Sequence, residues 1–511
     1  MRGINRAQAQ PTGQQEIEKS GADVTEWTPR EVARRAIHSV LALGVRQIVA
    51  QGLNILGAIF LARLLTPAEF GIYAIIVFIR GFLTAFSDAG LAASLIRQPV
   101  EPDEEDYRAI FTFQQMMVLG VAVPFWLACP LVAHLYKLPV HDAWVFRLVD
   151  LSLLCSSFQV IPSTKLERDL AFHKIAVIEI SMALVFNGVS VFLAYQGWGE
   201  MSFAWGLFLR SIIGAGLANA IRPWRIGWRW DWKRIREHMR FGIPYQGIAF
   251  ISLMKDSIGP TLIAIFLGAA EMGYVNWAIM ITYYPLLVLA VLQRVYLPAF
   301  ARLQRNPESL SRAVEKVLLA TNGIVAPAAL ATLVFIRPIT SFIFGEKWLV
   351  AIPLFYVFWA GNLFTATSAP LQSLLNALGF SKTTFLFAVT WAVGTWVIGA
   401  PLILLIGAMG YAVATLGVNF TNLLLFRIAQ SRVRFKLISV VGPVWAVAGL
   451  LALAALLARS VLPLRSSGGL AACIALYAGS YMLVCGSLYR TEIRRIWSLF
   501  WRSQWEPASL R

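Results

Sequence analysis

Apolar runs long enough to cross a bilayer recur along this chain from residue 38 almost to residue 489, and that recurrence decides what it can fold into. A spanning helix needs about 20 mostly apolar residues, because it rises ~1.5 Å per residue and must satisfy its own backbone where there is no water. The runs predict about fourteen transmembrane helices, over residues 38–62, 71–96, 109–135, 144–162, 173–195, 202–221, 241–267, 273–298, 317–341, 350–372, 383–406, 409–427, 440–460 and 468–489. A transmembrane barrel would show ~10-residue segments of alternating polarity instead, and no such alternation dominates. Composition agrees: 58% of the 511 residues are hydrophobic and 14% charged, against ~45–50% and ~25% in soluble domains. The expected fold class is an all-α polytopic membrane protein.

The net charge of +17 would suit a nucleic-acid surface, but the cations lie in alternate loops, which is how a membrane protein fixes its orientation. An even number of spans puts both termini on one side. If that side is the cytoplasm, thirty-two of the 44 Lys and Arg fall inside and six outside, with Arg46, Arg80, Arg147, Arg210, Lys255 and Arg294 within the spans. A register shift of one helix would invert the bias, so the count supports topology and orientation together. Membrane lipids, not nucleic acid, are the partners this charge predicts. The first 37 residues hold no apolar core of the kind a cleaved signal needs, so the first run is expected to stay. Cys129, Cys155, Cys473 and Cys485 sit inside apolar runs with no metal-ligand spacing, so neither a metal nor a disulfide framework is expected.

A repeat is visible. Ala62, Leu65, Ala68, Glu69 and Gly71 in ARLLTPAEFG each find an identical residue 202 positions on, in AIFLGAAEMG (Ala264 to Gly273), at the same place in the hydropathy pattern. Six intervening helices make the copies parallel, the plan in which two halves rock about a central site; a common short-loop composition is the alternative. The expected organisation is a cytoplasmic tail (1–37), an N-lobe of six spans (38–222), a basic, Trp-rich cytoplasmic inter-lobe segment (223–240), a C-lobe of six spans (241–430), an extra helix pair (431–489) and a cytoplasmic tail (490–511). In the inter-lobe segment, Trp interleaved with Arg and Lys predicts a helix lying in the membrane interface.

Charges inside a bilayer cost ~2.5–3.5 kcal/mol each on insertion scales, so they need a polar surrounding or a partner. In the first span Gln47, Gln51 and Asn54 form one polar stripe with Arg46 beside it; in the seventh, Tyr245, Ser252 and Asp256 form another with Lys255 beside it. The eighth places Asn276, Tyr283 and Arg294 on one face, with Pro285 as a kink. These residues, with Arg80 and Lys255 near the midplane and Arg210 in the sixth span, predict a net-cationic cavity for an anionic substrate such as a pyrophosphate. The competing reading is that polar stripes merely join helix to helix. Arg147 and Asp150, three apart, are expected to pair with each other. No GxSxG, HExxH or Walker loop is present, the five histidines are scattered, and the outside loops are short, so no catalytic residue or cofactor is expected.

Five segments carry a family resemblance: LARLLTPAEFGIYA (61–74), FSDAGLAASLIRQ (86–98), LERDLAFHKIAVIE (166–179), RVYLPAFARLQ (294–304) and FGEKWLVAIPL (344–354). In this order the chain resembles the Wzx-type flippases of the polysaccharide transporter family, within the superfamily that also holds multidrug exporters and the lipid II flippase. The resemblance implies two pseudo-symmetric six-helix lobes plus two extra helices, alternating access, a bacterial inner-membrane location and an undecaprenyl-pyrophosphate-linked oligosaccharide as cargo. It also implies a polysaccharide polymerase and export machinery as partners. Family members often carry an acid nine positions before the Leu-Gly ending the seventh helix; here that position is Gly259, so the resemblance puts no acidic coupling role on Asp256. A cation-coupled multidrug exporter, or an integral-membrane glycosyltransferase or polymerase acting on lipid-linked sugars, is the alternative.

Overall fold

A computed structural model describes residues 47, 49–88, 90–98, 101–139, 142–458 and 466–488, and all regular structure among them is helical. The first lobe runs α1 (Val49–Leu64), α2 (Pro67–Asp88), α3 (Leu91–Arg97), α4 (Glu104–Leu135), α5 (Ala143–Ser157), α6 (Val160–Arg168), α7 (Phe172–Tyr195) and α8 (Met201–Ile221). The second runs α9 (Trp232–Asp256), α10 (Ala269–Tyr283), α11 (Leu287–Leu303), α12 (Pro307–Ile339), α13 (Ile352–Asn362), α14 (Thr365–Ala377), α15 (Ser381–Ile406), α16 (Ala408–Asn419) and α17 (Asn422–Arg432). The extra pair is α18 (Leu437–Leu457) and α19 (Ser467–Leu488). Among the described residues, twelve stretches are long and apolar enough to cross a bilayer, and the α5–α6 pair, bent by 42°, makes a thirteenth when taken as one span. The apolar helix α1 lies in the first expected span, whose beginning, with Arg46, is outside the described residues.

Local chemistry sets the helix ends. The α2 start is a capping box, with Pro67 at the first turn: the Thr66 N–H donates to Glu69 Oε2 at 2.6 Å and the Glu69 N–H to Thr66 Oγ1 at 3.3 Å. The span expected over residues 71–96 divides at Gly90, whose φ of 69° an L side chain rarely adopts. At Gly259 and Pro260 the α9 path widens into a π-helix over Gly259–Leu267, since proline removes an N–H from the ladder. Pro285 kinks the eighth span through a short 3-10 turn over Tyr284–Leu286, as expected.

The inter-lobe segment departs from the expected interfacial helix. Residues 223–231 are not helical, and α9 begins at Trp232 with Asp231 as its cap, accepting from the Lys233 and Arg234 N–H groups. The physical reason is periodicity. Trp224, Ile226, Trp228 and Trp230 alternate with Arg225, Gly227, Arg229 and Asp231, which is the period of an extended chain. This strap crosses the first half of α4: Trp224 and Trp228 pack edge-on or tilted against Phe111 at 5.1 and 5.7 Å, and the Arg229 N–H donates to Thr112 Oγ1 at 2.8 Å.

The largest core joins both lobes, with Phe70, Phe203, Trp277, Phe344 and Trp348 among its buried members. The extra pair packs on the second lobe through α12, where Ala326, Leu330 and Phe335 meet Val444, Ala448, Leu470 and Tyr477.

Candidate functional site

The two copies of the repeat meet each other. A Cβ placed on Gly71 would lie 1.8 Å from the Ala269 carbonyl oxygen, and one on Gly273 would lie 1.9 Å from that of Pro67, residues that are themselves 202 apart. The contact between α2 and α10 is therefore reciprocal, and only glycine permits backbones this close. The same end carries a buried aromatic plug: Trp348 stacks on Trp277 at 5.8 Å and meets Phe70 edge-on at 5.2 Å. The last carbonyls of α1, which no helical N–H can reach, are taken by the second lobe. Trp348 Nε1 donates to Ala62 O at 2.9 Å, and Lys347 Nζ to Arg63 O at 2.8 Å and Leu65 O at 2.6 Å. Arg63 returns the contact by donating to Phe342 O and Ile343 O.

Directly inside this closure is a cavity of about 240 Å³, lined from the first lobe by Gln51, Asn54, Tyr73, Asn187 and Arg210, and from the second by Met280 and Tyr284. Arg210 packs over the Phe186 ring at 5.9 Å, and its Nε, like the Tyr284 hydroxyl, is buried without a hydrogen-bond partner among the described residues. Such groups cost ~1–3 kcal/mol when left unmade, a debt an anionic ligand would relieve. Arg80 stands behind this wall, donating to Ser152 Oγ at 2.7 Å and Ser211 Oγ at 3.3 Å, so the residue next to Arg210 helps to hold a second guanidinium.

The opposite end of α2 is closed by different chemistry. Gly90 lies against Gly242, where an added Cβ would be 2.3 Å from the carbonyl oxygen, and the Arg97 guanidinium covers the Phe241 ring at 4.4 Å. His238 of α9 is buried between Ser94 Oγ, 2.8 Å from its Nδ1, and Gln98 Nε2, 3.3 Å from its Nε2. Burial holds this imidazole below its ordinary value, against the opposing pull of Asp106 and Glu237. Nearby, Arg234 meets Asp103 at 2.8 Å, Asp106 at 2.5 Å and Glu105 at 3.5 Å, and its hydrogen bonds to Asp103 and Asp106 raise its guanidinium further above its usual range. Arg168 caps α3 by donating to Leu95 O at 2.6 Å and Gln98 O at 3.1 Å.

Of the residues expected to form a cationic cavity, the structure brings Gln51, Asn54 and Arg210 together and places Arg80 one layer behind. Gln47 lies one turn before Gln51 and is half-buried. Lys255 is ion-paired with Asp256, and neither lines this cavity; Ser252 is exposed on the same face of α9 as Asp256. Asn276 is half-buried on α10, and Tyr283, 53% exposed, does not line this cavity. The side chains of Tyr245 and Arg294 lie outside the described residues. Arg147 and Asp150 form no ion pair among the described residues: Arg147 lies over Trp126 and Trp144 at 5.4 and 4.9 Å, while Asp150 is buried.

The lining residues that sequence reasoning missed include Tyr73, Asn187, Met280 and Tyr284. Asn187, a lone amide in the apolar α7, was the findable one; its Nδ2 donates to Asn54 Oδ1 at 3.1 Å.

The family described as "Polysaccharide biosynthesis protein" matches residues 60–353, more than half of the chain. The lipopolysaccharide biosynthesis protein WzxC of Escherichia coli (strain K12) is 25% identical over 400 residues, covering 75% of this chain and 78% of that protein. The succinoglycan biosynthesis transport protein ExoT of Rhizobium meliloti (strain 1021) is 23% identical over 345 residues, covering 67% and 69%. Among solved structures, the lipid II flippase MurJ in an inward closed conformation has a TM-score of 0.72 at 14% identity, over 89% of this chain and 100% of that one. An inward-facing multidrug resistance MATE transporter of the MOP superfamily has a TM-score of 0.56 at 13% identity, over 77% and 98%. At these identities the structural likeness is one of fold, and the match that spans both closures and the cavity lining from Leu61 onward is the family's: the chain belongs to the polysaccharide biosynthesis protein family.

Proposed function

We propose that this protein is a flippase that carries an undecaprenyl-pyrophosphate-linked oligosaccharide across the bacterial inner membrane, by alternating access between its two lobes and without covalent chemistry. The observation that carries the reading is the cavity between the lobes, where Arg210 offers an unsatisfied guanidinium nitrogen and Arg80 stands behind it. Two phosphates cannot cross hydrocarbon bare, because stripping their charge from water costs far more than any unassisted path allows. Fixed guanidinium groups in a water-filled cleft replace part of that hydration. At about 240 Å³ the cavity is far too small for the cargo, so the structure is a closed state, and transport requires one end to part at a time. The difference in binding between states, not tight binding in both, moves the headgroup.

Both termini lie in the cytoplasm by this reading, which makes the glycine-packed end periplasmic and the strap end cytoplasmic, in keeping with the thirty-two to six division of cations. A polymerase and export machinery would take the product on the periplasmic side. A cation-coupled drug exporter would want a carboxylate in the cavity, and Asp256, the acid in the expected stripes, is instead paired with Lys255 outside it.

The test is translocation of a fluorescently labelled, undecaprenyl-pyrophosphate-linked saccharide in proteoliposomes, read by quenching from outside, alongside polysaccharide secretion in a strain lacking the gene. Wild type should translocate and restore secretion. Arg210→Ala and Arg80→Ala should lower both with little loss of protein in the membrane, and Arg80→Lys should keep part of the activity. Absence of wild-type translocation overturns the function; normal activity in both alanine variants overturns the cationic cavity alone.

A further inference from the structure

On the far side of Asn187 from the cavity is a second, apolar space of about 570 Å³ between α1 and α7. Its walls are Leu53, Leu56 and Phe60 from α1 and Leu184, Val191 and Phe192 from α7. Leu56, Phe60, Leu184 and Phe192 are each more than half exposed, so the groove opens outward, toward lipid in a membrane. Asn187 belongs to both spaces, and its hydrogen bond to Asn54 forms the neck between them. The two small residues of the groove differ. At Gly57 a Cβ would collide with Asn187 Oδ1 at 1.7 Å, so this glycine lets the amide seat in the neck, whereas at Gly188 a Cβ would meet nothing within 4 Å.

We propose that the α1–α7 groove is a binding site for the polyisoprenoid chain of the lipid-linked substrate, with the Asn54–Asn187 pair as the neck through which chain and headgroup remain connected. The inference rests on the flippase reading and adds to it where the tail goes. An ordinary phospholipid acyl chain is the obvious competitor for an apolar groove, but it fits the connection poorly. Its headgroup sits at the membrane surface, and the neck is eight residues inside the Tyr195 end of α7, about 12 Å along the helix. A chain whose polar end must lie that deep is the chain of a lipid whose headgroup has entered the cavity. The groove then holds the tail in hydrocarbon-like surroundings while the amide pair offers hydrogen bonds to the linkage passing between them, so no apolar surface is dragged through the polar cavity.

The experiment places benzoylphenylalanine at Phe60 or Phe192, and at Leu424 as an exposed apolar control elsewhere, in the full chain in nanodiscs containing undecaprenyl pyrophosphate. Irradiation should give polyisoprenoid adducts at both groove sites well above those at Leu424. Gly188→Trp, which fills open space, should abolish the groove adducts and lower export several-fold, while Gly120→Trp, on α4 away from both spaces and likewise meeting nothing within 4 Å, should leave both unchanged. Adducts equal at all three sites, or formed only with phospholipid, overturn the proposal, as does normal export in Gly188→Trp that reaches the membrane. If Gly188→Trp fails to reach the membrane, the cross-linking comparison in the otherwise unaltered protein decides alone. All these failures leave wild-type translocation intact, whereas failure of the flippase reading abolishes it.

Discussion

Replacing Gly273 with alanine should push the glycine-packed end apart. The added Cβ falls 1.9 Å from the Pro67 oxygen and 3.2 Å from the Gly71 nitrogen, both backbone atoms that no rotamer change can move. Ordinary contact begins at about 3.4 Å, so α2 and α10 must separate by about 1.5 Å or distort by as much. Overpacking of this kind costs ~1–3 kcal/mol. The cost falls on the closed state alone, because a state open at this end has already parted the two helices, and it should therefore shift the equilibrium toward that opening by about 5- to 150-fold. Spin labels at Leu64 and Val350, which are 40% and 64% exposed and belong to opposite lobes at this end, would report the distance by pulsed electron resonance in a background free of native cysteines. Wild type should show one short population, and Gly273→Ala a longer one at its expense. Gly71→Ala should do the same, since the contact is reciprocal, while Gly449→Ala, whose added methyl meets nothing within 4 Å, should leave the distances unchanged. An unaltered distribution in both repeat variants, with the fold intact, would refute the claim that this glycine pair is the closure.

The other end should answer to pH. Burial holds His238 below its ordinary value, so the closed contact binds fewer protons than an opened one; its stability is complete above the ordinary imidazole value of ~6.5 and is lost as pH falls through the lowered one. Labels at Ile96 and Ile243, 39% and 53% exposed, should move apart on acidification in wild type and not in His238→Gln, and identical titrations would rule out the imidazole as the cause. Topology is open to reporter fusions: those after Glu200 and Ala408 should read periplasmic and those after Glu308 and Arg434 cytoplasmic, and two reversals would overturn the proposed orientation.

How much of this was legible in the sequence depended on whether a single period governed the residues concerned. Spans were legible because hydrocarbon imposes one length on every crossing, and the Pro285 kink because proline acts locally. The spacing of 202 pointed to the residues that meet at Gly71 and Gly273, though not to their contact, since hydropathy carries no information on backbone approach. Helical spacing from Asn276 with a kink at Pro285 points to Tyr283, whereas Tyr284, at the start of the 3-10 turn, is the tyrosine that lines the cavity. Lys255 and Asp256, adjacent and therefore ~100° apart on a helix, did not suggest a pair. In the strap two signals compete: the membrane chemistry of Trp and Arg suits an interfacial helix, while their period of two suits the extended chain that residues 223–231 form.

The two closures differ in what can loosen them. The end at Gly71 and Gly273 is backbone against backbone under fully buried tryptophans, and its polar contacts are carbonyls capped by Lys347 and Trp348. Salt has little purchase there, because the closure depends on fit. The end at α3 and α9 rests on buried His238 and on Arg234 among Asp103, Glu105 and Asp106, ion pairs that reach solvent at Asp103 and Glu105 and weaken as ionic strength rises. In the proposed orientation the second gate is the one through which cargo enters, so a charged headgroup arriving from the cytoplasm competes directly for Arg234 and its neighbours. A substrate able to exchange ion pairs with its own gate lowers the cost of opening it, whereas the periplasmic gate offers no such exchange and must be parted by movement of the whole lobe. In the proposed orientation that asymmetry would favour loading from the cytoplasm, and it would make salt sensitivity of opening a property of the α3–α9 end.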